Sequence, residues 1–128
     1  MRVAFSSSNG RNVDIGFDQS CQFQIWDITL DGIQRCPCVD ALVNHTSEEQ
    51  NTIARLSAIA HCDLVCAMDI GENTMARLVN RGIHPLCTSH EIPIFELVEK
   101  LQTMLRTNRS PWLKRLNRKK NPSSQQPV

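Results

Sequence analysis

No stretch of this 128-residue chain approaches the roughly 20 consecutive apolar residues that cross a bilayer. The opening MRVAFSSSNG also lacks the long apolar segment of a secretory signal, so the expectation is a cytoplasmic protein. GxSxG, P-loop and GxGxxG signatures are missing, and Ser6-Ser7-Ser8 has no partnering base at a recognisable interval, which argues against the common hydrolase and nucleotide-binding classes. Acidic residues stop at Glu99, whereas Lys100, Arg106, Arg109, Lys114, Arg115, Arg118, Lys119 and Lys120 follow. An acidic body therefore carries a basic tail. Aromatic residues make up only 5% of the chain, and that tail holds a single tryptophan rather than an aromatic-bearing surface. A solvated or protein-docking segment fits it better than a nucleic-acid site.

Cysteine, by contrast, is plentiful: Cys21, Cys36, Cys38, Cys62, Cys66 and Cys87. The small, loop-rich secreted setting of a disulfide framework is absent, so reduced thiols are expected. The length fits one domain with a sizeable core.

The organising stretch runs from Ala60 to His90. Asp63 opens an apolar run, Leu64 to Met68, suited to a strand buried on both faces and bounded by Gly71. A helix follows, capped by Asn73 or Thr74, with Met75, Leu78 and Val79 at helical spacing and Gly82 as its left-handed terminus. Ile83 to Cys87 then reads as a second buried strand, which completes a βαβ unit. The loops Asp69 to Asn73 and Thr88 to Glu91 must therefore emerge at one sheet edge, where open α/β sheets bind ligands.

Before this unit, Arg2 to Ser6 reads as a strand and Arg11 to Ser20 as polar loop. Phe23 to Ile28 pairs with the next strand through the hairpin signal Asp31-Gly32. Pro37 puts that third strand at the sheet edge. Thr46 and Ser47 before Glu48, Glu49 and Gln50 resemble a capping box, and Ile53, Leu56, Ile59 and Ala60 mark one helical face. Pro93 falls in the first turn of the last helix, whose stripe is Ile94, Leu97, Val98, Leu101, Met104 and Leu105. Trp112, Leu113 and Leu116 suggest a further turn after Ser110-Pro111. The expected fold is α/β: a single-domain, mixed five-stranded sheet of the ribonuclease H-like kind with flanking helices, its first, fourth and fifth strands parallel. The domain is expected to span residues 1–108, with 109–128 as a largely disordered basic extension.

Three loops converge at one edge in this arrangement, with Cys21 beside them. Its thiol is a candidate soft-metal ligand or a small packed hydrophobe. Cys36-Pro-Cys38 is too short for the usual zinc or redox spacing and reads as edge packing. Cys66 reads as inert core. Cys87 and His90 are placed to act as ligands, although His90 could instead cap the final helix. Asp14, Asp18, Asp27 and Asp69 do not complete a two-metal nuclease set, because Asp27 lies toward the hairpin.

VAFSSSNGRNVDIGFDQSCQFQIWDI, CDLVCAMDIGENTMARLVNRGIHPL and ELVEKLQTMLRTNRSPWLKRL together resemble the NifX/NafY-like dinitrogenase iron-molybdenum cofactor-binding family, with LQTML and PWLKRL most similar to its NifX branch. The resemblance covers about Arg2 to Leu116. It implies a ribonuclease H-like fold without catalysis. It also implies carriage of the iron-molybdenum cofactor, or its iron-sulfur precursor, between nitrogenase cofactor scaffold proteins and apo-dinitrogenase. Many members carry His-Phe-Gly after a valine-aspartate pair, where this chain has Gly16, Phe17 and Asp18. With that imidazole missing, Cys21 and His90 are the candidate metal ligands, with Cys87 beside His90. Asn9 and Arg11 in the first loop, and Asn73 at a helix N-terminus that favours anions, complete the candidate cofactor contacts. The alternative is a metal-free interaction or regulatory protein of the nitrogen-fixation machinery on the same fold.

Overall fold

The computed structural model of the chain describes residues 1–107. The expected turn at Trp112 to Leu116 and the basic extension lie outside the described residues. In order the elements are β1 (Arg2–Ser6), β2 (Asn12–Val13), β3 (Gln22–Ile28), β4 (Ile33–Asp40), α1 (Glu48–Ala58), β5 (Leu64–Ala67), α2 (Glu72–Asn80), β6 (His84–Cys87), β7 (Ile92–Pro93) and α3 (Ile94–Thr107).

Five strands form one mixed sheet, ordered β4-β3-β1-β5-β6, and β2 pairs with β7 in a separate ribbon. β1, β5 and β6 run parallel, whereas β3 is antiparallel to both β1 and β4, so the expected directions hold. Strand side chains alternate between faces, and β1 therefore feeds two cores. Val3 and Phe5 pack with Leu97, Val98, Leu101 and Leu105 of α3. Ala4, on the other face, packs with Leu56 of α1 and Leu78 of α2. The sheet is the middle of three layers. β5, between β1 and β6, is buried along its whole length, as its unbroken apolar run requires.

Several local expectations change. α2 begins at Glu72 with Gly71 as its N-cap, so Asn73 and Thr74 lie inside its first turn. Val79 is exposed and Leu78 carries the contact with the sheet. On α1 the buried residues are Asn51, Thr52, Arg55 and Leu56, with buried Ile59 at its C-cap, while Ile53, and Ala60 just past the helix, are exposed. Helical spacing permits this face, but an arginine in it reads as solvent-facing when judged by residue type alone. Ser47 does cap α1, its hydroxyl accepting from the Gln50 amide at 3.4 Å. Ile83 to Cys87 was expected to be buried; β6 instead forms the sheet edge, half-buried, with Cys87 exposed. Pro93 lies in β7, directly before α3. The stretch expected as polar loop contains β2 and a 3-10 turn, Phe17–Gln19. Gly82, at φ +77°, ends α2 as expected.

Each sheet edge contains a proline, Pro37 in β4 and Pro85 in β6, which blunts pairing with another chain. β4 also bulges: Phe23 faces Val39 and Ile25 faces Cys36, leaving Pro37 and Cys38 opposite Gln24. Cys36 consequently packs against the Ile25 core, whereas Cys38 points to Gln22, its Sγ 3.5 Å from Oε1. The two thiols serve different faces, so Cys36-Pro-Cys38 is edge packing rather than a chelating pair.

Candidate functional site

The parallel strands β1, β5 and β6 all end at one edge, and the loops that follow them are stitched together there. Ser7 holds the first turn: its Oγ accepts from the Gly10 amide at 2.8 Å, and Asn9 Oδ1 accepts from the Arg11 and Asn12 amides at 2.8 and 2.9 Å. Ser8 donates from its amide and hydroxyl to the Asp14 carboxylate. This self-contained turn delivers β2 to β7, with Asn12 opposite Pro93 and Val13 opposite Ile92. Asn12 Nδ2 also donates to Glu91 at 2.7 Å, and the Ile94 amide donates to the Arg11 carbonyl.

The middle loop is bound as closely. Met68 N donates to Ile15 O at 2.9 Å and Phe17 N to Asp69 O at 3.0 Å, which lays the first loop along the end of β5. Ser89 N donates to Met68 O at 3.1 Å and brings in the third loop. Ser89 is, among the described residues, the one non-glycine with positive φ, at 66°. Three loops therefore do converge, as the order of elements led one to expect.

Gly16 lies where the first loop meets the second. Its φ of −78° and ψ of 163° suit any residue, so its backbone does not demand glycine. Space does. A Cβ built on Gly16 would overlap Asp69 Oδ1, with Cγ at 3.2 Å and the Asp69 carbonyl at 3.3 Å. Two residues on, Asp18 reaches the start of α2. Thr74 Oγ1 donates to Asp18 Oδ1 at 3.4 Å, and Asp18 Oδ2 would lie 3.5 Å from a Cβ on Gly71. A carboxylate of this chain thus already sits by the helix N-terminus that the sequence offers to an anion.

The candidate donors are distributed unevenly. Cys21 is exposed just before β3, and Cys87 and His90 are exposed at and after the end of β6. β3 and β6 are separated by β1 and β5, about 14 Å at ordinary strand spacing, so the edge does not bring Cys21 together with Cys87. No three His, Cys, Asp or Glu side chains cluster as a metal site among the described residues. His90 stands four residues before α3 and does not cap it; its carbonyl accepts from Thr88 Oγ1 at 2.7 Å. Arg11 is exposed, Asn73 is exposed in the first turn of α2, and the Asn9 carboxamide oxygen is spent on its turn. Asp27 faces away from this edge and pairs with Arg2, Nη2 to Oδ2 at 3.0 Å. The Arg2 guanidinium holds the Asp27 carboxyl below its usual range. Burial pushes the Cys66 thiol up, and burial and then the Asp27 charge push up that of Cys36, so neither is a ready thiolate.

One buried group is invisible to sequence patterning. Arg55 of α1 is only 5% exposed; its Nε donates to Ser20 O at 3.0 Å, while Nη1 has no partner among the described residues. Ser20 in turn donates from Oγ to Gly16 O, so α1 props up the 3-10 turn beside the edge. Only the arginine at a helical core spacing, Thr52-Arg55-Leu56-Ile59, could have signalled it.

The family model described as dinitrogenase iron-molybdenum cofactor matches residues 1–104. Over 122 residues the chain is 28% identical to protein NifX of Rhodobacter capsulatus, covering 91% of this chain and 77% of that one. It is 30% identical over 119 residues to protein NifY of Azotobacter vinelandii, covering 88% of this chain but only 46% of that longer protein. Protein NifX of Herbaspirillum seropedicae is 25% identical over 121 residues, with 93% and 83% covered. Among solved structures, PH0822 matches with a TM-score of 0.65 at 18% identity, covering 80% of this chain and 91% of that one, a likeness of fold alone.

Proposed function

The chain belongs to the dinitrogenase iron-molybdenum cofactor family, and on that premise we propose that it is a non-catalytic carrier that holds a nitrogenase metallocluster at the three-loop edge. Membership and the NifX and NifY relatives place it in nitrogenase cofactor biosynthesis. The cargo is the iron-molybdenum cofactor or its iron-sulfur precursor, received from a scaffold protein and passed toward apo-dinitrogenase in the cytoplasm. The observation that carries this reading is the family match itself, which runs through all three loops of the edge.

Exposed thiol and imidazole donors suit such a cargo, since thiolates and imidazole both favour iron. Cys21 on one flank, and Cys87 with His90 on the other, address separate parts of a large cluster rather than one ion. Asn9, Arg11 and Asn73 line the same edge. The sheet order supports reading the fold as ribonuclease H-like, and we read the domain as ending near residue 108, with a basic extension in sequence beyond it. Among the described residues no helix is long and apolar enough to cross a membrane.

Anaerobic titration of the isolated iron-sulfur precursor with the full chain, followed by its visible absorption, tests the reading. Saturable binding by the wild type that weakens in the Cys21→Ala, His90→Ala double variant is the expected result. Undiminished binding by that variant removes these ligands.

The second reading, a metal-free interaction or regulatory protein, is favoured by one observation. At Gly16, where the resemblance implies an imidazole, Asp69 fills the space. A colourless protein on anaerobic isolation, where a histidine-bearing relative is brown, would select it.

A further inference from the structure

Helix α3 is tied to the β3–β4 hairpin along one line of its surface. Phe95 packs against Trp26 with ring centroids 6.3 Å apart, and Gln102 Nε2 and Arg106 Nε donate to Thr29 O and Leu30 O, each at 3.0 Å. Further round the helix lies an open recess of about 510 Å³, lined among the described residues by Glu96, Glu99, Lys100, Thr103 and Met104. That volume is in the range of sites that take small organic groups, so an indole fits it. Met104, half-buried against the core, is the apolar member of the lining. The rim is acidic. Glu96 pairs with Lys100 at 3.4 Å, whereas Glu99 has no ion pair among the described residues.

The sequence supplies a segment of matching chemistry. From Thr107 the chain continues to Val128 without an acidic residue, and this stretch holds Trp112, Leu113 and Leu116 among Arg109, Lys114, Arg115, Arg118, Lys119 and Lys120. At roughly 1.5 Å of rise per residue, Met104 lies about 5 Å and Glu99 about 12 Å back from the helix end at Thr107. Trp112 follows that end by five positions, which reach at most about 17 Å, and Ser110-Pro111 in between is a turn-initiating pair. A reversal there returns Trp112 to the level of Met104, with Lys114 and Arg115 beyond it toward Glu99 and Glu96. The tether also makes the encounter intramolecular, which favours this segment over a separate molecule.

Independently of what the three-loop edge carries, we propose that the α3 recess is the docking site of the chain's own C-terminal segment. Trp112 seats against Met104, and Lys114 and Arg115 meet the carboxylates of Glu99 and Glu96. Any partner of that face must then displace the segment.

Trp26 and Trp112 are the two tryptophans of the chain, so labelling the full chain with 5-fluorotryptophan gives two fluorine resonances, which Trp112→Phe assigns. At low salt the wild-type Trp112 signal is expected to lie away from its position in urea, at a shift independent of protein concentration. Glu96→Lys together with Glu99→Lys, both at exposed positions, should move it most of the way to the urea position while Trp26 keeps its native shift. Added salt should move the wild-type signal in the same direction by a smaller amount. Glu48→Lys together with Glu72→Lys makes the same charge change on α1 and α2, across the sheet, and should leave the signal in place. A wild-type signal already at the urea position overturns the proposal. So does a signal that the α3 variant leaves unmoved, or one that the α1 and α2 variant moves equally, which would make the effect one of net charge. A shift that grows with protein concentration overturns it in favour of a second copy of the chain.

Discussion

Asp69 and Gly16 fit together as filled and vacant space: the carboxylate of one occupies the volume into which a side chain on the other would project. Gly16 has an ordinary extended backbone, so the restriction at this position is steric. Phe17 N donates to Asp69 O at 3.0 Å and ties the two loops together at this point, so room for a side chain has to come from the Asp69 carboxylate.

Gly16→Ala is therefore expected to destabilise the protein, by about 1–2 kcal/mol as for other overpacked sites. Adding Asp69→Ala should recover most of that loss, because the overlapping atoms are gone. Denaturant melts of both single variants and the double variant give the coupling energy, and additive losses would show that the contact does not restrict residue 16.

Arg55 carries a buried charge with one unpartnered nitrogen. Replacing a buried charge by an apolar chain of similar length is often neutral or favourable, whereas deleting the chain leaves a cavity. Arg55→Met should therefore stay within about 1 kcal/mol of the wild type, and Arg55→Ala should cost about 2 kcal/mol or more. Urea unfolding checks the contrast.

The cysteines should separate by exposure. Cys21, Cys38 and Cys87 are exposed, Cys36 is half-buried with its thiol shifted up, and Cys62 and Cys66 are buried. A maleimide followed by peptide mass analysis is expected to label the first three quickly and the last two only on unfolding. Bound cargo should slow Cys21 and Cys87 while leaving Cys38 unchanged.

The Arg2–Asp27 pair gives a pH dependence of definite sign. The folded carboxyl is held below its usual value, so its stabilising contribution is present above about pH 4 and is lost as pH falls through the folded value. Asp27→Asn should show a smaller loss of stability on acidification below pH 4 than the wild type. Because both side chains are partly exposed, the difference should also shrink with added salt.

Much of this architecture is legible in the residues. The Leu64 run, Gly82 and Asp31-Gly32 announce a parallel unit and a hairpin through local rules that tertiary packing does not override. The convergence of three loops follows from strand direction alone. What escapes is set by long-range contact. Arg55 looks solvent-facing until α1 is laid on the sheet, and the tight space beside residue 16 comes into view only with Asp69, 53 positions away. β6 reads as buried because most of its residues are apolar, whereas its exposure follows from its place at the end of the strand order among the described residues. Among the candidate ligands, sequence order suggests that Cys21 and Cys87 share a site, and only the strand order places β1 and β5 between their strands.

The most direct test of a cluster carrier is anaerobic gel filtration of the full chain after incubation with the isolated iron-sulfur precursor, with iron and molybdenum determined across the protein peak. Iron co-eluting with the protein at a fixed ratio, and moving to apo-dinitrogenase or a scaffold protein on mixing, is the expected result. An iron-free protein peak, under conditions where a histidine-bearing relative loads, would contradict it.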